Sequence, residues 1–265
     1  MKHIYLSITI CLITCMTALG QNYKISTPPS DLELDPFYKK YCNVNGVPVI
    51  SSERVPDSAF YQACLIVDFM TSDLPEKVRA EMVKNKAKMG IMAKDEYTTD
   101  IPEHAFLKND TTENWDTRAR GLGGDLHGPL TTCAEENLLC YDEDKYYRED
   151  IAIHEFAHGV HLLGIAPADK SFNKKLEKML ANMQRQGKYI GTYAGSNIYE
   201  YWAEGVQNWF NINTEVEKDD GIHNWVNTRE DMLKYDPKLY KLISKYFSDF
   251  EDSPSCHSTE NRFAK

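Results

Sequence analysis

IAIHEFAHGVHLLG, residues 151–164, decides how the rest of this 265-residue chain is read. On a helix, positions i and i+4 lie one turn apart on one face, so His154 and His158 point the same way. Glu155 projects from the adjoining face, close to anything the two imidazoles hold without having to bind it. Ile151, Ile153, Phe156, Val160, Leu162 and Leu163 surround the motif, and a helix that is apolar nearly all round is expected to be buried. Buried histidines and a buried carboxylate need partners. One metal ion serves all three. A core histidine satisfied by a carbonyl is the competing explanation, and it accounts for one of these residues more readily than for all of them.

Zinc sites that do chemistry keep three protein ligands and one open position. The HExxH pattern supplies two ligands, His154 and His158, and a base, Glu155. His161 shares the face of His154 but stands two turns away, about 10 Å along the axis. It is read as a packing or hydrogen-bonding residue. Gly164 occupies the place where the HExxHxxGxxH pattern carries its third histidine, which excludes that class. The third ligand is sought instead in YEYWAEGVQNWF, residues 199–210. Glu200 and Glu204 are again i and i+4, opposite a face of Tyr199, Trp202, Val206, Trp209 and Phe210. Glu200 is expected to bind the metal and Glu204 to accept the ring N–H of a ligand histidine. Two solvated glutamates on an outer face are the alternative, and the two acids could exchange roles.

The surroundings of these helices bound the compartment and the class. Residues 1–20, MKHIYLSITICLITCMTALG, carry one lysine, an apolar run and small residues at the end, the pattern of a secretory leader cut near Gly20/Gln21. An uncleaved membrane anchor is the less favoured reading, since the run is short and holds Ser and Thr. Residues 21–265 then form a single domain. The formal charge is −10 with no basic stripe, which argues against nucleic-acid or anionic-membrane partners. Seven cysteines are present. Cys11 and Cys15 fall in the leader, and Cys133 and Cys140, close in sequence, are expected to clip a loop. Of Cys42, Cys64 and Cys256, two should pair; the sequence does not choose which.

Helices are predicted over 57–72, after Pro75, through the motif to an end at Gly164, over about 170–186, over 197–212, and once or twice within 228–247. MGIMAK, 89–94, reads as a buried strand. The glycines of RARGLGGDLHG and the LTTC that follows suggest an edge strand or loops beside the site, and residues 21–36 an extended lead-in. The class is α+β, helix-rich with a small sheet. His223, in GIHNWVN, is read first as a surface histidine, with a role as a hydrogen-bond donor to a reacting oxygen as the alternative.

HEFAH followed about forty residues later by Glu-x-x-x-Glu resembles the gluzincins, zincins whose third ligand is glutamate. Their second acid is commonly Asp, so Glu204 departs by one methylene. YAGSNIYEYWAE, residues 193–204, is similar to a segment of the anthrax lethal-factor-like catalytic domains, through Tyr193, Ala194, Asn197, Glu200, Ala203 and Glu204, with Ser196 in a threonine's place. That resemblance implies that Glu200 binds zinc and Tyr193 stands by the reacting carbonyl. TTDIPEH, RARGLGG, CAEENLLC and HEFAH, in that order, resemble a group of secreted proteins with a zincin domain. This likeness implies a zincin-like fold and a Cys133–Cys140 pair, and no particular substrate.

The expectation is therefore a secreted metallopeptidase with one Zn2+ per chain, acting on peptide or protein substrates. His154, His158 and Glu200 would be ligands, Glu155 and Tyr193 the catalytic pair, and Glu204 would support the ligands. The competing expectations are a zinc-binding module without peptidase activity and a hydrolase of another bond.

Overall fold

Asn45 and Gly46 both take positive φ, 52° and 88°, which is what a two-residue hairpin turn requires. In this computed structural model, which describes residues 23–249 and 253–258, that turn joins β1 (Lys40–Val44) to β2 (Val47–Ser51), antiparallel, with Tyr41 opposite Ile50. The expected leader lies outside the described residues. Two helices, α1 (Asp57–Thr71) and α2 (Glu76–Lys84), then carry the chain to β3 (Lys88–Met92), which runs parallel to β2. After a long excursion holding the short helix α3 (Trp115–Arg118), β4 (Leu130–Ala134) pairs parallel with β3 and completes a sheet in the order β1-β2-β3-β4. Leu122 forms an antiparallel bridge with Thr132 along the free side of β4.

The rest is helical: α4 (Glu135–Leu138), α5 (Ile151–Gly159), α6 (Ala166–Ala168), α7 (Phe172–Gln184), α8 (Ile198–Trp209), α9 (Arg229–Tyr235) and α10 (Pro237–Ile243). The architecture is α+β, helix-rich with a small sheet, as the sequence predicts. α1, α5 and α8 enclose the main core, in which Phe60, Val67, Ile153, Phe156, Trp202 and Trp209 are buried. Aromatic rings knit its far side: Trp202 packs edge-on against Phe172 and Tyr246. Among the described residues no helix is long and apolar enough to cross a membrane.

Two expectations are corrected. The motif helix does not end at Gly164. It passes through a π-helical turn, Val160–Ile165, into α6, and Pro167 sits in the first turn of α6. Gly164 is there for clearance: a Cβ would lie 2.8 Å from side-chain carbons of Val78 and Met82 on α2. Cys133 and Cys140 do not pair. Cys140 bonds Cys256, 116 residues on. Cys133 is fully buried in β4, whereas Cys140 leaves α4 in a left-handed conformation, φ 51°, at a half-buried position the C-terminal segment reaches. No pair forms among Cys42, Cys64 and Cys256 either: Cys42 and Cys64 touch each other as free thiols, and burial pushes the thiols of Cys42, Cys64 and Cys133 up.

Candidate metal centre

α5 is held at its N-terminus and on both sides. Asp150 caps it, accepting from the Ile153 amide at 2.8 Å. Gly159 lets it lie against β4, since a Cβ there would come within 2.8 Å of Thr131 Oγ1. α8 crosses it with the Trp202 indole donating to the Ala157 carbonyl at 3.0 Å. Asn197 starts α8 by accepting from the amides of Tyr199 and Glu200, which sets Glu200 one turn into the helix, above the histidines. Leu122 and its glycines lie along the other flank. Gly123 packs on the His158 side chain, where a Cβ would meet its Cβ at 2.6 Å.

Three side-chain atoms converge as a result. His154 Nε2 and His158 Nε2 are 3.2 Å apart, and Glu200 Oε2 lies 3.1 Å from the first and 3.4 Å from the second. A tetrahedral zinc site with bonds of about 2.0–2.1 Å has ligand-to-ligand edges of about 3.3 Å. The donor set and its spacing fit that ion.

The tautomer of His154 follows from its second partner. Gln207 Nε2 donates to Glu149 Oε2 at 3.2 Å and to the Asp150 carbonyl at 3.3 Å, which turns its Oε1 toward His154 Nδ1 at 2.7 Å. Nδ1 must therefore be the donor, which leaves Nε2 as the nitrogen whose lone pair would face the convergence point once its own proton is displaced. Glu204, expected in this role, is 3.9 Å from Nδ1 and accepts instead from Asn213 at 2.8 Å. Gln207 is missed by sequence reasoning; its place seven residues after Glu200 and three after Glu204, on the same face of α8, is a signal that puts it near the site without saying which group it meets.

The electrostatics favour positive charge at this point. Burial opposes charging His154, but the Glu200 hydrogen bond and the carboxylates of Glu155 and Glu204 outweigh it and raise its pKa to about 10. Burial disfavours the Glu200 carboxylate too, yet bonding to both histidines takes it far below the carboxylate range. Without a metal a proton fills the need; a divalent ion fills it better. Burial raises Glu155, with the two histidines partly offsetting it. The Tyr193 phenol, raised first by burial and then by Glu200 and Glu155, stays protonated. Its ring stacks on His154 with centroids 6.2 Å apart, and its amide donates to the Ile222 carbonyl at 2.7 Å.

His223 is not a surface residue. It lines the same cleft, 3.5 Å from Glu149 Oε2 and 3.7 Å from Asp220 Oδ2, with its side chain only 9% exposed. Burial lowers its pKa, but Glu149, Glu204 and Asp220 more than reverse that. Glu149, part of a charged run in the sequence, is missed by sequence reasoning; nothing in its spacing marks it. The cleft encloses about 1170 Å³ and is open to solvent along α5, with the triad, Glu155, Tyr193 and His223 in its wall.

No protein-family model matches the chain, and comparison with curated proteins finds no match. Among solved structures, the PRO-PRO endopeptidase (PPEP-2) from Paenibacillus alvei is similar over 74% of this chain and 96% of its own, at 16% identity and a TM-score of 0.49. At that level the likeness assigns neither family nor activity to this chain.

Proposed function

We propose that the chain is a secreted zinc-dependent peptidase, with one ion held by His154, His158 and Glu200. The observation that carries this reading is the triangle of donor atoms with sides of 3.1, 3.2 and 3.4 Å, each atom presented by a buried or half-buried side chain at the floor of an open cleft. Bound there, zinc supplies Lewis acidity, lowering the pKa of a water and polarising a carbonyl. Glu155 stands next to His154 in the wall of the cleft, with its pKa raised by burial toward the working range of a general base. It takes the proton of the attacking water and hands it to the departing amine. The Tyr193 phenol, kept protonated, donates to the carbonyl oxygen as that atom gains charge; its match to the lethal-factor-like segment supports the same role. Gln207 holds the His154 tautomer, and Glu204 adds negative charge behind it. The leader-like start and the Cys140–Cys256 disulfide support an oxidising destination.

Elemental analysis alongside a peptide-cleavage assay tests the proposal. Wild type and Glu155→Gln are expected to carry one zinc per chain, with cleavage abolished only in the variant. Glu200→Ala is expected to lose most of its zinc, and Tyr193→Phe to keep it while losing about 10²–10³ in kcat. Zinc-free wild type would refute the site. Loaded protein that cleaves nothing in a broad peptide library would return the chain to a binding module or a hydrolase of another bond.

A further inference from the structure

One end of the cleft carries positive charge that the proposed chemistry does not use. α3 and the segment 145–148 meet there, beyond the N-terminus of α5. Lys145 Nζ donates to the carbonyls of Thr117 and Arg118 at 3.1 and 2.7 Å, and the Tyr146 phenol donates to the Arg118 carbonyl at 3.3 Å. These bonds fix the two segments against each other and gather Arg118, Lys145 and Arg148 on one rim. The guanidinium of Arg118 stands over Trp115 at 5.6 Å and that of Arg148 over Tyr147 at 5.2 Å. All three cations are exposed. None forms an ion pair with a carboxylate among the described residues.

The neighbouring carboxylates are already engaged. Asp116 accepts from the Thr99 amide and hydroxyl, and Asp110 from Thr112 and the Trp115 indole. Glu149 faces His223 and Gln207. The pKa of Lys145 is pushed down mainly by partial burial of its ammonium, with a smaller contribution from the like charges of Arg118 and Arg120. On a chain of net charge −10, three unpaired cations on aromatic supports at the mouth of one cleft form a local field of the opposite sign.

We propose that this rim is a subsite for acidic side chains, so that the enzyme cleaves peptides carrying Asp or Glu on one side of the scissile bond. This rests on the peptidase reading. Arg148 stands three residues before the start of α5 and His154 three residues into it, so a helical rise over the second part and at most extended chain over the first put them no more than about 15 Å apart. Extended peptide covers that distance in at most about five residues, so the acid belongs within about five residues of the cut.

Cleavage-site profiling of the zinc-loaded protein with a randomised peptide library, read by mass spectrometry, tests it. Asp and Glu are expected to be enriched on one side only, within that window. Changing them to Asn and Gln should cost about tenfold in kcat/KM, the scale of a few partly exposed charge pairs. An Arg118→Glu/Arg148→Glu double variant should reverse the preference toward Lys. Lys170→Glu, at the opposite end of the cleft, should leave it in place. The variants' zinc content and thermal midpoint report their folding, and the milder Arg148→Gln should weaken the preference if the double variant fails to fold. Cleavage without acidic enrichment, or enrichment untouched by Arg148→Gln, would overturn the subsite.

Binding to the inactive Glu155→Gln protein separates this from the function itself. A fluorescein-labelled peptide with three consecutive Glu residues should bind about tenfold tighter than its Gln counterpart, and the gap should close in high salt. Equal affinities would overturn the subsite. Tight, salt-sensitive binding by a protein that cuts nothing would overturn the peptidase reading while leaving the acidic-peptide site.

Discussion

His161 is the motif helix's odd residue: a fully buried imidazole outside the converging donor triad. It packs against the rings of Phe172, Tyr199 and Trp202, and its Nε2–H donates to Asn173 Oδ1 at 2.8 Å. Burial lowers its pKa to about 4. The unfolded chain takes up that proton near pH 6.5 and the folded one only near 4, so stability is complete above the first value and is lost as pH falls toward the second. Between pH 7 and 5, wild type should lose about 2 kcal/mol more than His161→Gln in urea unfolding; parallel losses would show that His161 does not titrate this way. Gln207 carries the second residue-scale prediction. Gln207→Leu leaves the His154 Nδ1–H without an acceptor and should weaken zinc binding about 10–100-fold in a chelator competition. Glu204→Gln should cost less, because Glu204 stands 3.9 Å from that nitrogen.

At the scale of elements, apolar periodicity was a good guide, while caps were less so: Pro56, with no capping side chain, precedes α1. α1 and α2 begin at Asp57 and after Pro75 as expected, and α8 begins at its Asn197 cap. Asn197→Ala should therefore destabilise by about 1 kcal/mol in thermal or urea unfolding, and tilt Glu200 away from the histidines. The β1–β2 hairpin went unread, although Val-Asn-Gly-Val at its tip is a hairpin signal. The π-helical turn after α5 was not legible. It depends on α2 lying against the motif helix, where the Asn85 side chain donates to the Leu163 carbonyl at 2.8 Å. Gly164→Ala measures that packing. Helix propensity would favour the alanine by about 1 kcal/mol, but the added methyl meets Val78 and Met82 at 2.8 Å. Overpacking of about 1–3 kcal/mol should win and lower the thermal midpoint; a rise would mean that α2 yields freely.

Among the described residues one long-range covalent tie closes the fold. Cys140–Cys256 spans 116 residues, and a loop of that size is worth about 4–5 kcal/mol in the chain-entropy account. Non-reducing peptide mapping should recover that pair and no Cys133–Cys140 peptide. Cys256→Ser should lower the thermal midpoint by about 10 °C, and a shift under about 2 °C would show that the C-terminal segment contributes little to the fold.

By itself the sequence determined the α+β class, the helices that carry His154, Glu155, His158, Glu200 and Glu204, and the side of each helix on which those residues lie. Those are local matters, set by a 3.6-residue repeat, a cap and an apolar surround within a few turns. Only the tertiary structure decided which groups meet: Gln207 rather than Glu204 behind His154, His223 beside Glu149 in the cleft, Cys256 rather than Cys133 on Cys140. Each of those contacts joins segments far apart in the chain. Their spacing comes from how α5, α8 and the sheet pack on a shared core, and short-range periodicity carries no information about that distance.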